Sequence, residues 1–322
     1  MEDQLIERVR GRVPHLAGGL RVGIGDDAAV MAPRKGMEWV VTVDAFLEGV
    51  HFLRKVHSPR DVGYKSLARA TSDIAAMGAQ PRYFLLSLAL PSECTSRWLD
   101  EFLSGMAAAA RRFGLTLAGG DTTKYPSVLI NLTVIGESDP GRAVLRSGAR
   151  PGDVIFVSGR LGEAELGLRL VQLGIGKNRR WKKLLGKHVH PEPRLALGQW
   201  LTGRRYATAM IDTSDGLSTD LGHICAASGV GASVFAEKIP LVNVPPGLQR
   251  MGLAPLQLAV DGGEDYELLF TVPKRLAGRV PRKVAGVPVT AIGEITRRKE
   301  IVLVGSRGNV KPLRSGGWDP FR

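Results

Sequence analysis

No apolar run in this chain approaches the 18 or so residues that a membrane helix needs, and none of the composition suggests a disulfide framework. The first residues, Met1-Glu2-Asp3-Gln4, are acidic and lead into an amphipathic stretch, so a signal peptide is not expected and a cytoplasmic location is. There are only two cysteines, Cys94 and Cys225, far apart and without metal-ligand spacing; both read as small reduced hydrophobes. There is no His-Glu-x-x-His, and His188 and His190, beside Pro191, read as structural or exposed rather than as zinc ligands. No Gly-x4-Gly-Lys-Ser/Thr phosphate loop and no His-Arg-Asp kinase loop occurs. Gly23-Ile24-Gly25 lacks the third glycine of a dinucleotide fingerprint, and Asp26-Asp27 would repel a pyrophosphate without an intervening metal. Aromatics are sparse: five Trp, five Tyr and nine Phe, too scattered for a base-stacking platform.

What is present is an ordinary globular composition of 322 residues, 44% hydrophobic and 23% charged. That length favours two domains, with a boundary near the Asp139-Pro140-Gly141 turn: residues 1–140 and 141–322. The formal net charge of +13 favours anionic partners. The clusters Lys177–Lys183 and Arg297–Lys299 read as solvated surface, and no nucleic-acid partner is expected.

Periodicity and punctuation place the elements. Residues 2–10 read as a short amphipathic helix and Trp39–Val43 as a strand ending at Asp44. Ser58-Pro59-Arg60-Asp61 opens a helix that runs to Met77 and stops at Gly78, with Asp73 in its last turns. A carboxylate there is disfavoured by the helix dipole and needs another reason, such as a cation. Arg82–Leu90 reads as a strand, Thr95–Phe113 as a helix closed by Gly114, and Val128–Val134 as a strand. Beyond the boundary, strands are expected near 154–157, 209–211, 232–236, 266–272, 289–295 and 300–304, with helices near 163–173, 192–202 and 218–228.

The chemistry concentrates where Asp stands beside Gly, Ser or Thr at the ends of apolar runs. The organising example is Gly119-Gly120-Asp121-Thr122-Thr123, read as a strand giving way to a loop; Gly25-Asp26-Asp27, Val43-Asp44, Ser72-Asp73, Asp212-Thr213-Ser214-Asp215-Gly216 and Gly262-Gly263-Glu264-Asp265 repeat it. Alone, each is as well a plain turn. Together they suggest hard oxygen ligands for magnesium, which binds through a few carboxylates plus phosphate oxygens. Phosphoryl transfer asks the protein mainly for positioning and charge neutralisation, and no Ser-His or Cys-His signature competes with that reading.

The blocks Gly23–Ala29, Thr42–Asp44, Gly49-Val50-His51-Phe52, Ser72–Gly78, Gly119–Thr123, Leu145-Arg146-Ser147-Gly148, Ile211–Gly216 and Gly262–Leu268, in order over nearly the whole chain, resemble the thiamine-monophosphate kinases of the aminoimidazole ribonucleotide synthetase superfamily. The resemblance implies an α/β (α+β) protein with a two-domain aminoimidazole ribonucleotide synthetase-like fold, each domain a mixed sheet with flanking helices. It implies a homodimer formed through the N-terminal sheet. The implied reaction is phosphorylation of thiamine monophosphate by ATP, assisted by several Mg2+ ions. Carried over by motif, the metal ligands are Asp27, Thr42, Val43, Asp44, Asp73, Asp121, Asp212 and Asp215, of which Asp44, Asp121 and Asp212 take the catalytic role. Val43 departs from the hydroxyl residue the family can place there, and only its carbonyl can serve. The implied ATP contacts are Gly120, Asp121, Arg146 and Ser214; the implied substrate contacts are His51, Glu264 and Trp318. The chemistry agrees: a terminal phosphomonoester is largely dianionic at pH 7 and needs no general base. A carboxylate and an aromatic face suit a cationic heteroaromatic. Related synthetases that work through a reactive N-terminal or C-terminal cysteine find none here.

Overall fold

The computed structural model describes residues 8–13, 20–22, 30–31, 34–176 and 180–318. Asp27, with the rest of the Gly23–Ala29 block, lies outside them, as do Lys177–Arg179 of the basic cluster. Two compact units form: Met1–Ile74 with Ala79–Gly141, and Ala75–Gly78 with Arg142–Arg322. Among the described residues no helix is long and apolar enough to cross a membrane.

In the first unit, β1 (Leu20–Val22) and β2 (Val30–Met31) form a small antiparallel pair. The main sheet has the order β3-β6-β4-β5, built from β3 (Glu38–Leu47), β4 (Gln80–Leu90), β5 (Thr116–Lys124) and β6 (Leu129–Ser138). Only β4 and β5 run parallel, so the sheet is mixed. Helix α1 (Pro59–Ala76) starts where its sequence says: Ser58 Oγ accepts the Asp61 N–H at 3.1 Å and donates to the Asp61 carboxylate at 2.7 Å. Helix α2 (Arg97–Phe113) ends on Gly114 at φ 71°. Gly63 and Gly105 let α1 and α2 touch: a Cβ on Gly63 would strike the Phe102 carbonyl, and one on Gly105 the Arg60 carbonyl.

Two expectations shift here. Asp44 does not end its strand, because β3 continues to Leu47; and Asp121 does not stand in a loop, because β5 runs through Gly119 and Gly120 to Lys124. The glycine is explained by the neighbouring strand: a Cβ on Gly120 would land on the Leu86 carbonyl oxygen. Gly120→Ala is therefore expected to cost about 1–3 kcal/mol through forced backbone movement; a thermal midpoint unchanged from the parent would refute that account.

The second unit holds β7 (Val154–Ser158), β8 (Ala209–Asp212), β9 (Gly231–Phe235), β10 (Leu268–Val272), β11 (Lys283–Val284), β12 (Val287–Thr296), β13 (Ile301–Val304) and β14 (Val310–Pro312). The order is β14-β13-β9-β12-β7-β10-β8, with β11 paired to β12; β9–β13 is the parallel pair. Alternate residues of β7 feed two cores: Ile155 and Val157 pack with Leu221, Ile224 and Ala232, while Phe156 packs with Phe270, Met210 and Leu201. Helices α3 (Glu163–Gln172), α4 (Leu195–Arg204), α5 (Leu217–Ser228) and α6 (Pro255–Asp261) flank this sheet. Both cysteines are free and buried.

Candidate functional site

In the first unit the strand alternation sorts β3 into two faces. Thr42 and Asp44 face α1, where the Thr42 hydroxyl donates to Asp73 Oδ2 at 2.5 Å and Arg69 Nη2 donates to Asp44 Oδ1 at 3.0 Å. Asp73, awkward at a helix C-terminal end, is thus held by a hydroxyl from the sheet. The Arg69 guanidinium lies 5.1 Å from the centre of the Phe46 ring. On the other face Trp39, Val41 and Val43 are 38%, 56% and 61% exposed.

Asp121 is exposed on β5, paired through Ser87 and Asn131 to Ala45, one position off the row of Asp44. β3 and β5 are the two edges of the sheet, about 14 Å apart by strand spacing. His51 is folded back on its own turn: Nδ1 accepts the Leu47 N–H at 3.0 Å and the ring stacks on Phe46.

The second unit joins its motifs backbone to backbone. Asp212, the last residue of β8, is buried. The Thr213 N–H donates to the Glu267 carbonyl at 2.7 Å, the Tyr266 N–H to the Thr213 carbonyl at 2.9 Å and the Glu264 N–H to the Ser214 carbonyl at 2.8 Å. Gly263 allows this contact, since a Cβ there would strike the Ser214 carbonyl. On the other side, Asp220 Oδ2 accepts the Asp215 and Gly216 N–H groups at 3.2 and 3.0 Å. The tail closes the third side: the Gly316 N–H donates to Ser218 Oγ at 3.2 Å and the Trp318 N–H to the Asp215 carbonyl at 3.0 Å, leaving Trp318 50% exposed. Ser214 and Asp215 are half-buried at this junction, whereas Arg146 is exposed on the loop that follows Val144.

The acids of Gly262–Leu268 divide their duties. Asp265 is buried and accepts the backbone N–H of Gly162 and of Ala164, at 2.5 and 2.9 Å. Glu267 is buried among Lys187 Nζ at 2.5 Å, Arg194 Nε at 2.7 Å and the Ser158 hydroxyl. Only Glu264 keeps its carboxylate partly exposed, at 23%. The expectation that Asp265 belongs with the metal-directed carboxylates is therefore replaced by a structural role.

Burial pushes the Asp265 carboxyl up to about 7. Burial also works against Glu267, but Lys187 and Arg194 outweigh it and hold that acid below the ordinary range. Burial, with Asp212 and Asp215 beside it, raises Asp220 well above the usual value. For Asp265, a folded value near 7 against 3.8 in the open chain means a contribution to stability that is full below about pH 4 and lost as pH rises through 7. The difference in unfolding free energy between the parent and Asp265→Ala should shrink by a few kcal/mol from pH 4 to pH 8; denaturant titrations giving a constant difference would contradict the assignment.

Among the described residues no three Asp, Glu, His or Cys side chains gather as a metal-ligand group. The residues present still suit magnesium bound with phosphates. The acids are hard oxygen donors, and one or two carboxylates per ion suffice when phosphate oxygens and waters complete the octahedron.

Sequence reasoning missed Asp220, Lys187, Arg194 and Arg69, and it read His188 as structural or exposed without its partner Glu264. Asp220 carried a signal: it falls on the same face of α5 as the buried Leu217, Leu221 and Ile224, a carboxylate in an apolar stripe. The others meet partners 25 to 80 residues away and carried none.

The fold and these motifs define an AIR synthase related protein: the N-terminal domain model of that family matches residues 25–138 and the C-terminal domain model residues 150–306. The thiamine-monophosphate kinase of Salmonella typhimurium is 40% identical over 299 residues, 92% of this chain and 90% of that one. The crystal structure of thiamine-monophosphate kinase from Stenotrophomonas maltophilia K279a superposes with a TM-score of 0.80 at 36% identity, covering 94% of each chain. The structure of AaThiL complexed with AMPPCP and TMP does so with a TM-score of 0.81 at 33% identity, covering 92% of each. The chain belongs to the thiamine-monophosphate kinase family.

Proposed function

We propose that this chain transfers the γ-phosphoryl group of ATP to thiamine monophosphate, giving thiamine diphosphate and ADP. The observation that carries the reading is the likeness, over 92% of both chains, to a protein solved with an ATP analogue and TMP together. A phosphate oxygen of thiamine monophosphate forms the new bond to the γ-phosphorus, and the bond from that phosphorus to the β,γ-bridging oxygen breaks, leaving ADP. The acceptor is already largely dianionic, so no side chain has to remove a proton.

In the first unit, Asp44, Asp73 and Asp121, with the Thr42 hydroxyl and the Val43 carbonyl, are the proposed magnesium ligands, and Gly120 and Asp121 the ATP contacts; Asp27 belongs to the same proposal by motif. In the second unit, Asp212 and Asp215 take the ligand role, and Arg146 and Ser214 contact ATP. Magnesium supplies neutralisation of the phosphate charges there. Arg146, exposed on its loop, is free to present a guanidinium fork to a phosphate. Glu264, partly exposed, and Trp318, half-exposed on a docked backbone, offer a carboxylate and an aromatic face to the cationic heteroaromatic. His51 is proposed to present the edge of its ring beyond Nδ1 to the substrate.

The exposed Trp39, Val41 and Val43 face supports the reading that a second copy of the chain covers β3; a monomer in sedimentation at micromolar concentration would remove that part. A cytoplasmic enzyme is the setting proposed. The reaction is tested by following thiamine diphosphate and ADP together by chromatography, with ATP, magnesium and thiamine monophosphate supplied. Stoichiometric formation of both supports the proposal. ADP without thiamine diphosphate means that the acceptor is wrong.

A further inference from the structure

Glu264 is an unusual place for a recognition residue. Its backbone is in the left-handed region, at φ 65°, and Tyr266 follows at φ 50°, both without a glycine's freedom. That conformation persists because its surroundings over-determine it: the Glu264 N–H is held by Ser214, and the intervening Asp265 by Gly162 and Ala164. With the backbone fixed, only the side-chain torsions decide where the carboxylate points.

His188 faces that carboxylate. Its Nδ1 stands 3.4 Å from Glu264 Oε2, and its side chain is 1% exposed. The histidine has little room to move. Its Cβ packs on Gly167 of α3, where an added Cβ would approach to 2.6 Å. The residue before it, Lys187, is tied to Glu267, and so is Arg194 six positions on. The segment 187–194 is thus bracketed onto 264–267 by ion pairs on either side of the histidine. Glu165 on α3 lies near as well: burial raises its carboxyl, Arg169 at 2.6 Å opposes that, and Glu264 adds a smaller push upward.

We propose that His188 is a positioning residue that aims the Glu264 carboxylate at the cationic heteroaromatic end of thiamine monophosphate, and thereby sets affinity for that substrate. This rests on the function proposed above. Nothing in the sequence pairs residues 188 and 264, and the carboxylate that His188 meets at 3.4 Å is the acceptor-directed one. Its effect should therefore fall on the acceptor and leave ATP alone.

The test is calorimetric titration of the full chain with thiamine monophosphate and, separately, with AMPPCP, alongside steady-state kinetics. His188→Leu should weaken thiamine monophosphate binding and raise its KM about tenfold, with kcat and ATP-analogue affinity within about twofold. His188→Asn, whose amide nitrogen takes the place of Nδ1, should restore most of the loss. In a Glu264→Gln background the leucine substitution should have no further effect, because the group it positions is gone. Unchanged thiamine monophosphate affinity in His188→Leu overturns the proposal, as does a loss that persists in the Glu264→Gln background. Loss of both ligands together in both His188 variants means a purely structural histidine and overturns it too. A parent chain that binds AMPPCP but not thiamine monophosphate takes down the substrate reading, and this proposal with it.

Discussion

Glu267→Ala is expected to lower the thermal midpoint by about 6–20 °C. The carboxylate is fully buried and answers two cations, Lys187 at 12% exposure and Arg194 at 16%. Removing it leaves both without their counter-charge in a place water hardly reaches, and breaking a buried ion pair on one side costs about 3–5 kcal/mol. Against a total stability of about 5–15 kcal/mol that is a large share, and at about 2–4 °C per kcal/mol it gives the stated range. The loss also has a pH signature. The folded acid ionises below the ordinary value, so its contribution is present above about pH 4.5 and fades as the pH falls through the folded value. The parent should therefore lose more stability on acidification than Glu267→Ala does. A midpoint within 2 °C of the parent at pH 7, by circular dichroism, would mean that the network does not hold this unit together.

Asp121→Asn is expected to do the opposite: about 10²–10³ off kcat, with stability unchanged within about 0.5 kcal/mol. Asp121 is exposed on an edge strand, and Asp is a poor strand residue, so the fold gains nothing evident from it. Asparagine keeps the shape and removes the charge, which isolates the role proposed for it toward magnesium and ATP. Asp44→Asn should also lose activity, but the comparison is less clean because Asp44 answers Arg69, itself only 14% exposed. Full turnover by Asp121→Asn at limiting magnesium would rule out the ligand role at that position. A matching fall in thermal midpoint would move Asp121 from the function to the fold.

These two acids show what the sequence does and does not disclose. Helix boundaries were legible because their causes are local. Ser58, Pro59 and Asp61 open α1, Gly114 at φ 71° closes α2 and Gly229 at φ 68° closes α5, all within a few residues of the hydrogen bonds they serve. The acidic motifs were legible as a group, since Asp beside Gly, Ser or Thr at the end of an apolar run is visible in one dimension. Their division of labour was not. Asp121 and Asp44 were expected at strand ends and lie within strands, because β-sheet length is set by the partner strand as much as by the residues themselves.

Within Gly262–Leu268 the sequence offers three acids of similar standing: Glu264, Asp265 and Glu267. Composition and spacing determined that this block would be acidic, tight and glycine-bound. Only tertiary structure decided that Asp265 caps the start of α3, that Glu267 neutralises Lys187 and Arg194, and that Glu264 alone keeps an exposed edge. Those choices turn on partners about 70 to 110 residues away. Burial and counter-charge at that range set each acid's role, and neither is a property of the residue or its neighbours in the chain.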